Sequence, residues 1–188
     1  AARATARRQE LTAQLDGAMT VLAGSEVELS LEALPEALRA PRQYTLNGSR
    51  YLLVELMPAG LSPHLDLVQA RLGERGLAPI LAHPERHAQF ESRPERLRRW
   101  IERGGLVQVT ADSLTGRAGR RIQAAARRLL EWRLVHFVAS DGHDPVRRPP
   151  RLDGAYRVVE QTLGPAAAER LFVANPRAVI EDRAIISY

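Results

Sequence analysis

Five short apolar runs alternate with helical patterns along this chain, and that alternation restricts the fold more than any other feature. The runs are short for helices and rich in β-branched and apolar residues, which predicts parallel strands buried on both faces. Strands that alternate with helices form βα units around a parallel sheet. The predicted strands occupy residues 20–29, 51–56, 79–82, 106–110 and 134–139. We therefore expect an α/β fold with five strands, in a single domain over residues 1–188.

The predicted helices carry recognisable start and stop signals. The segment SPHLDLVQARLGERG offers Ser62 as an N-cap, Pro63 at the first helical position and Gly76 as a stop. Ser92 and Glu95 have the spacing of a capping box, which predicts a helix that ends at the following Gly-Gly pair. Further helices are predicted at 117–132, 152–163 and 166–173, with a final helical turn from Asn175.

The composition excludes several classes of protein. Cysteine is absent, so the chain has no disulfide, no thiolate metal site and no cysteine nucleophile. No stretch approaches the roughly 20 apolar residues that cross a bilayer, and the first ten residues lack the apolar core of a signal peptide. We expect a cytoplasmic protein without membrane insertion.

All 27 basic residues are arginine, and the formal net charge is +5. Nucleic-acid-binding modules usually interleave basic with aromatic side chains, but only 5% of these residues are aromatic. Most of the arginines lie in predicted helices, where they are typical of a solvated outer face. We therefore expect no nucleic-acid partner.

Carboxylate and imidazole side chains lie within or directly after the predicted strands. They are Glu26, Glu55, His83, Asp141 and His143. In α/β sheets and barrels, catalytic groups gather in the crevice at the carboxyl ends of the strands. Carboxylates and imidazoles without thiolates suit Mn, Fe, Zn or Mg, and a binuclear centre makes hydroxide available near neutral pH. The set predicts metal-assisted hydrolysis of a phosphate ester.

Each of these residues also has a structural interpretation. Glu55 interrupts an apolar run, where a carboxylate is costly unless it is paired or bound to a metal. Glu26 and Glu28 are two residues apart and share a strand face, so the pattern does not choose between them. His83 could cap a helix or lie in a loop. Asp141 could be a helix N-cap beside an exposed histidine, but its occurrence with the other strand-end ligands favours a metal site.

Arg86, Arg147 and Arg148 directly follow the ligand-bearing strand ends. A guanidinium there can bind a phosphate bidentately and stabilise charge as the ester bond breaks. For Arg147 and Arg148, a solvated loop ahead of two prolines is the alternative. His136 lies within an apolar run, which predicts a buried core histidine.

With these residues in place, the chain resembles the polymerase and histidinol phosphatase (PHP) superfamily and, within it, the CpsB/CapC family of bacterial protein-tyrosine phosphatases. The similarity runs from about Arg7 to Ala184. It is carried by LAGSEVEL, LNGSRYLLVEL, PILAHPERH, LVQVTADSLTG, LVHFVASDGHD followed by RRPP, and ERLFVANPRAVI. The resemblance implies a distorted (β/α)7 barrel, two or three divalent metal ions, typically manganese, and dephosphorylation of tyrosine in partner proteins.

The resemblance also implies roles for single residues. Glu26 matches the metal-bridging glutamate of a G-x-E motif, and Glu55 matches the next glutamate ligand. His83 matches the histidine of an AHPER-type motif, and Asp141 and His143 match the ligands of a D-x-H motif. By the same resemblance, Arg86 and Arg148 match arginines that bind phosphate. Arg147 matches no family arginine and is a candidate for substrate binding only because it is next to Arg148.

The chain departs from this family pattern at its start. Family members begin with a strand that carries H-x-H, followed by an aspartate ligand and a further histidine, all before the segment that matches Arg7. We therefore expect about five of the seven strands, an incomplete metal site and a chain that represents a truncated phosphatase. Unpaired sheet edges would then favour cover by another chain, such as a homo-oligomer.

Three functions remain open. The first is a metal-dependent protein-tyrosine phosphatase that acts on a bacterial tyrosine kinase in capsule or exopolysaccharide synthesis, which the resemblance implies. The second is a phosphatase for small phosphomonoesters such as histidinol phosphate. The third is a non-catalytic binding module that keeps the fold with an incomplete metal site. We expect the first.

Overall fold

A single parallel sheet organises the fold. The structure, a computed structural model, describes residues 2–29, 35, 38–57 and 65–186. Within these residues the sheet has the order β1-β2-β3-β4-β5, and each neighbouring pair is parallel. The strands are β1 (Glu26–Glu28), β2 (Tyr51–Glu55), β3 (Ala78–Ala82), β4 (Leu106–Thr110) and β5 (Phe137–Ala139). The predicted five-stranded α/β fold is confirmed.

Helices connect the strands and follow the last one. They are α1 (Ala2–Gln14), α2 (Leu65–Glu74), α3 (Ala88–Ser92), α4 (Glu95–Glu102), α5 (Ala111–Thr115), α6 (Arg120–Glu131), α7 (Asp153–Leu163), α8 (Pro165–Glu169) and α9 (Asn175–Ile180). A π-helical turn at Arg170–Ala174 joins the last two. Short 3-10 turns occupy Pro41–Gln43, Leu46–Gly48 and Pro84–Arg86. Across the described part of the chain, none of the helices is long and apolar enough for a bilayer crossing.

Several predicted boundaries differ from the structure. The predicted capping box at Ser92 is wrong: this residue ends α3, its Oγ donates to the carbonyl of Gln89 at 3.3 Å, and Pro94 precedes α4. The helix predicted from residue 117 begins later, at α6, because Gly116 and Gly119 have φ values of 89° and 99° that a continuous helix cannot contain. The predicted N-cap and first residue of α2 lie outside the described residues.

Two predicted strands are shorter than expected. Within residues 20–29, strand pairing covers Glu26–Glu28, and within residues 134–139 it covers Phe137–Ala139. Ahead of β5 the apolar sequence extends beyond the hydrogen-bonded ladder because residues 134–136 are also buried, whereas residues 20–25 ahead of β1 are partly or largely exposed. His136, for example, is 3% exposed, and its Nδ1 accepts the backbone N–H of Val107 at 3.2 Å. The prediction of a buried core histidine is confirmed.

Strand residues alternate between two apolar layers. Leu52 and Val54 of β2 and Val107 of β4 are fully buried in the larger layer, which also holds Leu97 of α4 and Leu130 of α6. The spacing of apolar residues on both helices gives each a buried stripe that covers this face of the sheet. These helices therefore cover one face of the sheet, and Val179 of α9 packs on part of the other face.

The opposite face of the sheet is concave. Leu53, Ile80 and Phe137 lie there and line an open cavity of about 580 Å³. Polar groups reach this cavity from Glu26 and Gln108. Because all strands are parallel, their carboxyl ends meet at a single edge of this concave face. The side chains predicted to carry chemistry lie at this edge.

Candidate active site

Glu26, Glu55 and His83 form one cluster beside the carboxyl edge of the sheet. Glu26 begins β1, Glu55 ends β2 and His83 directly follows β3. The Nε2 atom of His83 lies 3.0 Å from Glu26 Oε1 and 3.7 Å from Glu55 Oε2. One ligand atom from each of the three residues lies within 4.8 Å of the others. Atoms bound at about 2.1 Å to one ion lie roughly 3 to 4 Å apart, so this cluster suits three ligands of one divalent metal.

The backbone around His83 explains how its ring reaches the two glutamates. His83 has φ 36° and ψ 49°, a left-handed conformation that is rare for residues other than glycine. Its N–H donates to the carbonyl of Gln108 at 2.8 Å, and its own carbonyl accepts the N–H of Arg86 at 3.1 Å. These bonds hold the chain in a tight turn after β3. Such strain persists only where surrounding contacts hold it, and it is concentrated at functional sites.

The electrostatics of the cluster favour a cation. Burial raises the pKa of Glu55, and the nearby charge of Glu26 raises it further. Burial lowers the pKa of His83, but its hydrogen bond to Glu26 and the charges of Glu26 and Glu85 outweigh burial and leave the pKa raised. The two carboxylates thus favour the protonated, cationic form of the imidazole. The donor atoms are carboxylate oxygens and an imidazole nitrogen, which suit Mn, Fe, Zn or Mg.

Asp141 lies in a second cluster, with two of the predicted phosphate-binding arginines. The Nη2 atom of Arg86 is 2.9 Å from Asp141 Oδ2, and Nη2 of Arg148 contacts the same oxygen. The side chain of Asp141 is only 9% exposed, and its φ is 52°. Asp141 is therefore turned towards guanidinium groups and is not part of the cluster of Glu26, Glu55 and His83.

His143 and Arg147 lie near this second cluster without joining it. The Nδ1 atom of His143 is 2.9 Å from the carbonyl oxygen of Asp141, while 57% of the His143 side chain is exposed. Arg147 is exposed, and its N–H donates to Asp144 Oδ1 at 2.6 Å. Neither the D-x-H pair nor Arg147 joins the cluster of Glu26, Glu55 and His83 in this structure.

The two clusters act on each other electrostatically. The charge of Asp141 contributes to the raised pKa of Glu55, and the charge of Arg86 lowers the pKa of His83. One cluster attracts a cation, and the other presents two guanidinium groups that suit phosphate oxygens. A phosphate monoester bound by both could therefore contact a metal ion and the arginines together.

Glu85 is a buried carboxyl group beside the candidate site that the sequence analysis did not single out. It is 3% exposed, and its Oε1 accepts the backbone N–H of Thr110 at 3.0 Å and the Thr110 hydroxyl at 3.3 Å. Burial raises the pKa of Glu85. This carboxyl group ties the turn that carries His83 and Arg86 to the end of β4. The sequence offered one indication of its importance, because Glu85 lies in PILAHPERH between His83 and Arg86, which are both candidate site residues.

Several known proteins are similar to most of this chain and are longer than it is. A family model described as "Capsular polysaccharide synthesis, CpsB/CapC" matches residues 1–181. The tyrosine-protein phosphatase CpsB of Streptococcus pneumoniae is 33% identical over 187 residues, which cover 94% of this chain and 74% of the relative. The tyrosine-protein phosphatase YwqE of Bacillus subtilis is 32% identical over 144 residues, which cover 77% of this chain and 56% of the relative.

A solved structure shows the same fold. The matching chain comes from the crystal structures of YwqE from Bacillus subtilis and CpsB from Streptococcus pneumoniae, named there as metal-dependent tyrosine phosphatases. It superposes with a TM-score of 0.88 at 30% identity, over 96% of this chain and 74% of that chain. The superposition confirms the predicted α/β fold class.

Proposed function

Since the chain belongs to the CpsB/CapC family, we propose that it is a metal-dependent protein-tyrosine phosphatase, which hydrolyses phosphotyrosine to tyrosine and inorganic phosphate. One observation carries the proposal. The cation-attracting cluster of Glu26, Glu55 and His83 lies at the same sheet edge as the guanidinium pair of Arg86 and Arg148. A phosphate ester needs both kinds of group.

The proposed roles follow from these contacts. Glu26, Glu55 and His83 hold a divalent metal, proposed to be manganese, which supplies Lewis acidity and a water activated near neutral pH. Arg86 and Arg148 bind the phosphate oxygens and stabilise negative charge as the ester bond breaks.

Asp141 and His143 remain proposed ligands of a further ion. Because Asp141 pairs with two arginines in this structure, such a role requires its carboxylate to turn from guanidinium to metal. Arg147 remains a proposed substrate-binding residue next to Arg148 in the chain.

The proposed substrate is a phosphotyrosine protein, and the proposed partner is a bacterial tyrosine kinase that acts in capsule or exopolysaccharide synthesis. The names of the relatives support the substrate class and the capsule role. A cytoplasmic location and a single domain over residues 1–188 remain part of the proposal. In the described residues, β1 and β5 each pair on one side only, which supports a homo-oligomer or another covering chain.

Hydrolysis of a phosphotyrosine peptide tests the proposal. Purified protein with added Mn²⁺ should release inorganic phosphate, and a chelator should stop the release. Glu55→Gln should lose at least tenfold in kcat/KM because it removes a proposed ligand, whereas the exposed Arg99→Gln should keep full activity.

The alternative functions give different results. Faster turnover of histidinol phosphate than of the peptide would favour a phosphatase for small phosphomonoesters. Manganese binding without hydrolysis of either substrate would favour a binding module and contradict the proposed function.

A further inference from the structure

The loop after β5 displays arginines on a fixed backbone. Its first half closes as a turn in which Asp144 Oδ1 accepts the N–H groups of Val146 and Arg147, at 2.8 and 2.6 Å. Side-chain acceptors that satisfy two successive backbone donors are typical of an Asx turn. Arg147 therefore leaves the turn from a defined backbone position.

The second half of the loop packs back on the first. The carbonyl of Arg148 accepts the N–H of His143 at 2.9 Å. Gly142 lies so close to Pro150 that a Cβ at residue 142 would be 3.2 Å from the Cα of this proline. Two prolines restrict the backbone directly before Arg151. These contacts hold the backbone of this loop in one conformation. A carboxylate that binds Arg147 or Arg151 would therefore pay little entropy for ordering the loop.

A third arginine joins the loop to α5. The Nη2 atom of Arg117 donates to the carbonyl of Arg147 at 3.1 Å, and its Nε lies 3.1 Å from Asp112 Oδ1. Arg117 and Arg151 line the same small cleft, of about 170 Å³, together with Pro149. We call the three exposed residues Arg117, Arg147 and Arg151 the arginine rim. The rim continues directly from Arg148 at the phosphate-binding pair.

The rim has more positive charge than its own acids neutralise. Residues 111–121 and 141–151 contain six arginines and three aspartates. Each of these aspartates already has partners: Asp112 pairs with Arg117, Asp141 with the phosphate-binding pair, and Asp144 with backbone N–H groups. Among the residues that the structure describes, no carboxylate pairs with the guanidinium groups of Arg147 and Arg151.

From this geometry we infer that the arginine rim selects phosphotyrosine peptides with acidic side chains next to the phosphotyrosine. The inference rests on the proposed phosphatase function and adds a sequence preference to it. When phosphate binds at Arg86 and Arg148, the neighbouring peptide residues pass over Arg147 and Arg151. Glutamate or aspartate there supplies the carboxylates that these guanidinium groups lack.

The expected preference is modest because the pairs are exposed. One surface ion pair changes affinity by at most about fivefold, so two pairs should favour an acidic peptide over a neutral one by roughly three- to tenfold. The preference should shrink as salt rises, since exposed charges are screened.

Three phosphotyrosine peptides of equal length test the inference, with flanking glutamate, glutamine or lysine. For each peptide, kcat/KM is measured with Mn²⁺ and Kd by fluorescence anisotropy, at low and at high salt. The double variant Arg147→Gln/Arg151→Gln removes two rim charges. The matched control Arg99→Gln/Arg127→Gln removes two exposed arginines of α4 and α6, which leaves the same net charge.

The rim variant should lose most of the preference for the glutamate peptide over the glutamine peptide, while the control keeps it. Equal use of the three peptides by the unaltered protein would overturn the inference, and so would equal loss of preference in the two variants.

Turnover of an aryl phosphate separates this failure from failure of the proposed function. If the protein hydrolyses the aryl phosphate but shows no peptide preference, the phosphatase function stands and only the inference fails. Absence of all hydrolysis would contradict the proposed function, and peptide Kd values would still test the rim. Binding to anionic vesicles that only the rim variant loses, without any peptide preference, would assign the rim to a membrane and overturn the inference.

Discussion

Arg86 and Asp141 form an ion pair, with 2.9 Å between Nη2 and Oδ2, that joins the turn after β3 to the loop after β5. The carboxylate is largely shielded from solvent, and Arg148 contacts the same oxygen. One aspartate therefore positions both guanidinium groups that the proposed function assigns to phosphate. The same contact holds the arginines partly neutralised when no anion is bound.

Removal of that carboxylate charge should strengthen phosphate binding. In Asp141→Asn, the two guanidinium groups no longer share a negative partner, so inorganic phosphate should bind roughly three- to tenfold more tightly. Isothermal titration calorimetry measures this change. Weaker phosphate binding by the variant would show that the role of Asp141 in orienting the arginines outweighs its competition with phosphate.

Metal binding should distinguish the two glutamates of β1. Glu26 Oε1 lies 3.0 Å from Nε2 of His83, and the proposed ligand cluster contains Glu26 but not Glu28. Glu26→Gln should weaken Mn²⁺ binding at least tenfold. Glu28→Gln should change it by no more than about twofold, because Glu28 neighbours Glu55 in the sheet but contributes only its charge and no ligand atom. Titration followed by electron paramagnetic resonance of free Mn²⁺ compares the two. Equal losses would mean that both glutamates bind metal.

The buried carboxyl group of Glu85 should matter for stability. Glu85→Ala leaves the N–H of Thr110 without its acceptor and opens a cavity, which should lower the free energy of unfolding by about 2 to 3 kcal/mol. Glu85→Gln keeps an acceptor oxygen and should cost less than about 1 kcal/mol. Urea denaturation followed by circular dichroism measures both. A glutamine variant as unstable as the alanine variant would argue that the charge itself is needed.

The buried imidazole of His136 should make stability depend on pH. Burial lowers its pKa from 6.5 to about 4. Between these two pH values the unfolded chain binds a proton that the folded chain does not. The free energy of unfolding therefore falls as the pH drops from 6.5 towards 4. Above and below that window, the contribution of His136 to stability does not change with pH. The total effect is about 3 kcal/mol.

His136→Asn keeps an acceptor for the N–H of Val107 but does not titrate. Denaturation curves across this pH range should therefore show a smaller loss of stability on acidification in the variant than in the unaltered protein. Identical pH dependence in the two proteins would mean that the folded state accepts the proton without penalty.

The sequence predicted those features that depend on local pattern. The alternation of apolar runs predicted all five strands of the sheet, and the placement of His136 within a run predicted its burial. The strand pattern alone could not separate Glu26 from Glu28, because residues two apart on a strand share a face. The family resemblance selected Glu26, and the distance from Glu26 to the His83 ring agrees with that choice. Nor could the pattern predict that Asp141 faces two arginines. That contact joins two segments that are 55 residues apart in the chain, the turn that holds Arg86 and the loop that holds Asp141. It depends on the left-handed backbone of Asp141, which local sequence pattern does not show.

The left-handed backbone of His83 has a consequence for evolution and engineering. Glycine would adopt a φ of 36° without steric conflict and would relieve strain of about 1 kcal/mol. It would also remove the imidazole on which the cluster with Glu26 and Glu55 depends. The protein thus gives up some thermal stability at this position in order to present a ligand, so a search for more heat-resistant variants would tend to select against activity here.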